Sequence, residues 1–224
     1  MNNLGGGGDS DFYLGFDPGG AGAFGWCVLS GEDLPLSLYR RGAADHASGA
    51  VKAALETIGD GPICGVGIDA PLFWQPGGPA RATDRIVDRS IRQHICRKGA
   101  PGGTVNAVNS MSGACLIQGI MAAMLLRSAF PQVHITESHP KALLWLIGRA
   151  NRENRPEHIT LTHLNDLVSG DAEGANLHER DAALAAVSSW HMVNESSGWR
   201  NLYEEEKSPI SPLDPSPSYW LPIS

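Results

Sequence analysis

Short apolar runs of the strand kind alternate with longer amphipathic stretches along the chain. Tyr13, Leu14 and Phe16 open one such run, and Trp26 to Leu29 forms the run that follows it. Aromatic and β-branched residues suit a pleated surface, and the Pro18-Gly19-Gly20 turn between the runs makes a strand, a tight Gly-rich turn and a returning strand. Leu36 to Arg40 predicts a third strand. From Asp45 to Ile58 the apolar positions Ala47, Ala50, Val51, Ala54, Leu55 and Ile58 fall at helical spacing, and Gly59 closes the helix. Ile63 to Leu72 is an apolar run of the buried strand kind, broken by Pro71. A helix of about Ser112 to Phe130, a strand Val133 to Thr136 closed by Glu137, and a helix from Lys141 to Ile147 come next. A short helix at Leu161 to Val168 and an Ala-rich helix opening at His178 to Asp181 complete the regular elements, and Gly198 to Tyr203 reads as a loop.

This alternation predicts an α/β fold. Residues 1–10, with four consecutive glycines, read as a flexible leader. Residues 11–203 read as one domain with a helical insertion around 75–130. Residues 204–224 read as a Pro/Ser-rich tail, extended, with Tyr219, Trp220 and Leu221 able to dock on the body.

Composition narrows the class. A length of 224 residues with 42% hydrophobic residues suits one large globular domain. No apolar run is long enough for a membrane span, and no basic-then-apolar segment opens the chain. The four cysteines, Cys27, Cys64, Cys96 and Cys115, form no CxxC pair. They read as reduced thiols of a cytoplasmic protein and argue against a structural zinc. A net charge of −7 argues against a chain that wraps nucleic acid with its whole surface. Between Arg81 and Lys98, however, six basic residues meet two acidic ones, a local +4 against −11 elsewhere.

Candidate chemistry lies in four acids. Asp17, Asp69 and Glu137 each stand where a predicted strand ends, and Asp181 stands where a helix begins. In an open α/β sheet, strand ends and adjacent helix starts converge on the edge where ligands bind. Crowded carboxylates repel unless a cation neutralises them, and hard oxygen donors without cysteine suit Mg²⁺ or Mn²⁺. Two such ions about 4 Å apart can activate a water and stabilise a leaving oxygen. The four acids are therefore candidate metal ligands and catalytic residues. Arg81, Arg85, Arg89 and Arg92 share one helix face and are candidate phosphate contacts, because arginine matches phosphate geometry bidentately. His139, beside Glu137, is a candidate substrate contact or a structural histidine. Plain structural roles exist for each: Asp17 as a turn starter, the arginines as a solvated face, and Asp181 as a partner of a helix dipole.

The ordered segments GFDPGG (15–20), GIDAPL (67–72), RATDR (81–85), ITESHP (135–140) and ERDAALAA (179–186) resemble the DUF429 family of predicted ribonuclease-H-like proteins. The likeness runs from about Tyr13 to Trp190. It implies a ribonuclease-H-like fold: a five-stranded mixed sheet, its first three strands antiparallel, with helices on both faces. It also implies an acidic metal cleft whose four acids fall on Asp17, Asp69, Glu137 and Asp181. Classical ribonucleases H place a glutamate in the first helix; here Glu56 lies near that helix's end. The expected function is thus a divalent-metal-dependent nuclease acting on nucleic acid. The alternatives are an actin-like or sugar-kinase-like nucleotide-binding phosphotransferase, suggested by an acid before a Gly-rich turn, and a non-catalytic binding module that keeps the fold.

Overall fold

Three glycines on neighbouring strands decide how the layers meet. The computed structural model describes residues 11–76, 80–94, 111–147, 164–171 and 175–223. Strands β1 (Phe12–Asp17), β2 (Phe24–Ser30) and β3 (Leu36–Ala44) form an antiparallel meander. After helix α1 (Ala47–Ile58), strand β4 (Ile63–Ile68) pairs parallel to β1 on its other side. Helices α2 (Ala82–His94) and α3 (Met111–Ala129) precede β5 (Ile135–Glu137), which runs parallel to β4. Helix α4 (Pro140–Ile147), the two-residue strand β6 (Val168–Ser169) and helix α5 (Leu177–Val193) follow. Strand β7 (Arg200–Asn201), a 3₁₀ turn over Leu202–Glu205 and β8 (Ser218–Leu221) end the described chain.

The sheet order is β6-β3-β2-β1-β4-β5-β8-β7. The expected α/β architecture with a mixed sheet is present, but the sheet has eight strands rather than five. The two-residue strands β6 and β7 lie at the edges. Strand β8 lies inside the sheet and comes from the segment expected to be a tail. Its placement has local causes. Tyr219 is fully buried, the Asn201 side chain accepts from the Tyr219 N–H at 2.9 Å, and Thr136 Oγ1 accepts from the Trp220 N–H at 3.1 Å. Glu206 reaches the start of α2, where Oε1 accepts from both the N–H and the hydroxyl of Thr83 at 2.8 and 2.9 Å. Residues 204–223 are therefore built into the fold. The expected loop at Gly198 to Tyr203 likewise contains β7 and the start of the 3₁₀ turn. The predicted leader 1–10, the loop Gly99–Gly103 and most of the polar stretch 151–174 lie outside the described residues, as does the side chain of Arg92.

Every residue of β1 is buried, as expected of a central strand covered on both sides. Consecutive strand residues face opposite ways. Gly67 faces α5, whereas the Ile68 side chain meets Gly119 of α3, so helices cover both faces. On the α5 face a Cβ at Gly15 would come 1.8 Å from the Ala182 carbonyl oxygen, one at Gly67 1.8 Å from that of Ala185, and one at Gly25 2.2 Å from that of His178. The helix answers with small buried residues, Ala182, Ala183, Ala185, Ala186, Ser188 and Ser189. Its first turn is closed by a capping box: Asn176 Oδ1 accepts from the Glu179 N–H at 2.9 Å, and Glu179 Oε2 accepts from the Asn176 N–H at 3.2 Å. Among the described residues no helix is long and apolar enough to cross a membrane.

Gly67→Ala places a methyl group into helix backbone that has no side chain to move aside. It is expected to cost about 3 kcal/mol in chemical denaturation. A loss below 1 kcal/mol would mean that α5 can lift off the sheet freely.

Candidate functional site

Register brings the strand-end acids together. Phe16 of β1 pairs with Ile68 of β4, and Ile68 pairs with Glu137 of β5. The Asp69 N–H donates to the Phe16 carbonyl at 2.8 Å, and the Ser138 N–H donates to the Ile68 carbonyl at 2.8 Å. Neighbouring strands lie about 4.8 Å apart. Asp17, Asp69 and Glu137 therefore stand side by side at the carboxyl ends of three parallel strands. Asp181 reaches the same edge because α5 rides in the glycine channel, and it is 3% exposed.

Two of the four acids have strong partners. Asp17, 8% exposed, has Oδ2 2.6 Å from His178 Nδ1. The His178 side chain is 40% exposed, so Asp17 orients a ring that reaches solvent. Glu137 belongs to an interior ion pair. Its Oε1 accepts from Arg81 Nη2 at 2.6 Å, and its Oε2 accepts from Arg81 Nη1 at 2.7 Å and from the Leu72 N–H at 3.0 Å.

Arg81 spends its remaining donors nearby. Nε and Nη2 bond Asp84 at 3.1 and 2.8 Å, Nη1 bonds the Phe73 carbonyl at 3.2 Å, and the guanidinium lies 4.3 Å from the Phe73 ring centroid. Burial disfavours its charge, but Glu137 and Asp84 outweigh burial and hold the guanidinium protonated. At 6% exposure it has all five N–H groups engaged. The Arg81 fork, expected as a phosphate contact, here grips an internal carboxylate. Glu137, expected as a metal ligand, has both oxygens engaged in this pair.

Burial raises the Glu137 carboxyl too, with Arg81 acting against it; Asp17, Asp69 and Asp181 have no arginine fork of that kind, only His178 on Asp17 and Arg180 3.8 Å from Asp181. Burial pushes the Asp17 carboxyl up to about 6; the His178 hydrogen bond opposes this, and the Asp181 charge adds to it. Asp69 is raised well above the usual carboxylate range, first by burial, then by Asp17 and Asp181. Burial also raises Asp181, with Arg180, Lys141 and His178 acting against it. Asp181 Oδ1 is buried with no hydrogen-bond partner, and Arg180 Nε stands 3.8 Å away. Lys141, the second residue of α4, favours the charged form of all three aspartates.

Hard oxygen donors, an orphaned buried oxygen and mutual repulsion suit a divalent cation. No preformed cage exists: among the described residues no group of three or more His, Cys, Asp or Glu side chains is arranged to hold a metal ion. Cys115 also faces this edge, where burial and then Asp17 and Asp69 raise its thiol.

Arg85 and Arg89 are exposed on α2, and Arg85 Nη1 donates to the Ala80 carbonyl at 2.7 Å. His139 is half-buried between β5 and α4, its carbonyl accepting from the Leu143 N–H at 2.9 Å. Sequence reasoning missed His178 and Lys141. His178 and Asp181 are three apart on one helix, a spacing that places them on one face. That was a usable signal for His178. Lys141 had none before the β5–α4 connection was known. No protein-family model matches the chain, and no curated protein matches it.

Arg81→Met leaves Glu137 charged and unpaired in the interior and is expected to cost about 3–5 kcal/mol in denaturant unfolding. The strained aspartates give a pH signature. Folded Asp17 keeps its proton to about pH 6, whereas the unfolded chain releases it near 3.8. The native state binds more protons in that window, so this group's contribution to stability falls as pH rises through it. In a chelator, Asp17→Asn is therefore expected to raise Tm relative to the parent by about 3 °C more at pH 7 than at pH 4. A difference independent of pH would show that Asp17 is not strained.

Proposed function

We propose that this chain is a divalent-metal-dependent phosphodiester hydrolase acting on nucleic acid, built on a ribonuclease-H-like sheet. The observation that carries the proposal is the gathering of Asp17, Asp69 and Asp181, distant in sequence, at one strand edge with their charges under-compensated. The inner strand order β3-β2-β1-β4-β5, with its first three strands antiparallel, supports the fold that the DUF429 resemblance implies.

Asp17, Asp69 and Asp181 would hold Mg²⁺ or Mn²⁺, which when bound polarises a phosphate oxygen and lowers the pKa of a water. His178 fixes the orientation of Asp17, and its ring is partly exposed to solvent. Arg81 and Glu137 brace the start of α2 against the end of β5. Helix rise then puts Arg85 and Arg89 about 6 and 12 Å further along α2, where they meet the phosphate backbone of a substrate lying across the edge. That contact is electrostatic and weakens with salt.

A second reading, a binding module without catalysis, draws support from the Arg81–Glu137 pair, since an acid tied to arginine is lost to metal chemistry. Incubation with end-labelled RNA, DNA and RNA–DNA hybrid separates the two. Cleavage in Mg²⁺ or Mn²⁺, abolished by chelator and reduced at least 100-fold by Asp17→Asn or Asp69→Asn, is expected. Retention of labelled strands with no cleavage under any of these ions favours the binding module. Binding of ATP with Mg²⁺ but of no nucleic acid favours a nucleotide-binding phosphotransferase.

A further inference from the structure

We propose that a cleft at the far end of α5 from the carboxylate edge binds a small organic monocarboxylate with an apolar body, anchored by Arg127. The cleft is separate from the proposed hydrolase site and does not depend on it.

Several elements supply its walls. Arg127 lies near the end of α3, His134 and Ile135 stand at the start of β5, Met192 and Val193 end α5, and Trp220 belongs to β8. The cleft has a volume of about 480 Å³, which suits a small molecule. Residues two apart on a strand share a face, so Ser218 and Trp220 line the cleft while Tyr219 turns to the Arg81 pair. Ser218 Oγ lies 3.0 Å from Met192 Sδ and ties the β8 wall to the α5 wall. Met192 stands about 16 Å along the helix axis from Asp181, well away from the carboxylate edge.

Arg127 gives the cleft its chemistry. Nη1 donates to the carbonyls of Pro131 and Val133, and Nη2 donates to the Pro215 carbonyl at 3.1 Å. All of these acceptors are neutral. Nε is buried with no hydrogen-bond partner. A guanidinium has five N–H groups, so the Nε–H and one Nη2–H remain to be used. Arg81, by contrast, has its fork filled by Glu137 and Asp84. A carboxylate is the anion that such a fork takes with two bonds at once. Burial works against the Arg127 charge and Asp214 supports it, so a bound anion adds compensation. Beside the guanidinium, Met192, Val193, Pro215 and Trp220 offer an apolar surface to the body of the ligand. Glu195, exposed where it lines the cleft, repels a second negative charge and so favours a monocarboxylate over a phosphate dianion.

The test titrates hydrocinnamate, hydrocinnamyl alcohol and inorganic phosphate into the full chain, read by calorimetry and ligand-observed NMR. Hydrocinnamate should saturate with a Kd of about 1 mM or below, and the alcohol and phosphate should bind at least tenfold more weakly. Arg127→Lys keeps the charge but loses the fork, and should weaken hydrocinnamate at least tenfold. Val193→Trp, at an exposed position on the last turn of α5, fills the cleft and should abolish binding while thermal unfolding stays cooperative. No saturable binding up to about 10 mM, or an alcohol or phosphate that binds as tightly as the acid, overturns the proposal. Should Arg127→Lys not fold, undiminished binding by Val193→Trp overturns it as well.

Discussion

The close approach of helix α5 to the sheet is the constraint on which the remainder depends. Gly25, Gly15 and Gly67, on β2, β1 and β4, leave room for the carbonyls of His178, Ala182 and Ala185. No side chain can intervene, because even one Cβ would lie within 1.8–2.2 Å of helix backbone. The helix is thereby held at a depth where residues of its first two turns reach the strand ends. His178 meets Asp17, and Asp181 joins Asp17 and Asp69, only because of that depth. Packing geometry, rather than any attraction among the acids, brings like charges together.

Electrostatics then divides four acids into two kinds. Glu137 and Arg81 satisfy one another in the interior, a pair that fixes α2 to β5 and has no charge left for a ligand. The three aspartates repel, sit in surroundings that disfavour their charge, and are met by a partly exposed histidine and an exposed lysine. Such a cluster stores destabilisation, and strained groups of this kind concentrate at functional sites. The end of the chain reinforces the division: β8 lays Tyr219 against the Arg81 pair, and Glu206 caps α2 from below.

Much of the fold was legible from local pattern. Buried strands β1 and β4 stood out as apolar runs, and α1 was legible from its periodicity and from Gly59, whose N–H caps it on the Leu55 carbonyl. The ends of β1 and β5 at Asp17 and Glu137 fell where expected. Strands β6 and β7 escaped notice because two residues carry no period. Strand β8 escaped because its surroundings are rich in proline and serine, which read as a tail. Its strand character comes from partners on β5 and β7 that are distant in sequence.

For this protein the sequence by itself determined the α/β alternation, the acids at strand ends and the small-residue face of α5. These follow from periodicity, turn chemistry and side-chain size, all of which act between near neighbours. Tertiary structure alone decided which charges are free. Arg81 looked like one member of an exposed arginine stripe, since its spacing to Arg85 and Arg89 matches helix geometry. It lies at the start of α2, however, and turns inward to Glu137, 56 residues away. Spacing along a helix assigns a face. Only the fold supplies the buried carboxylate that makes one arginine of that face desolvate while its neighbours stay in water.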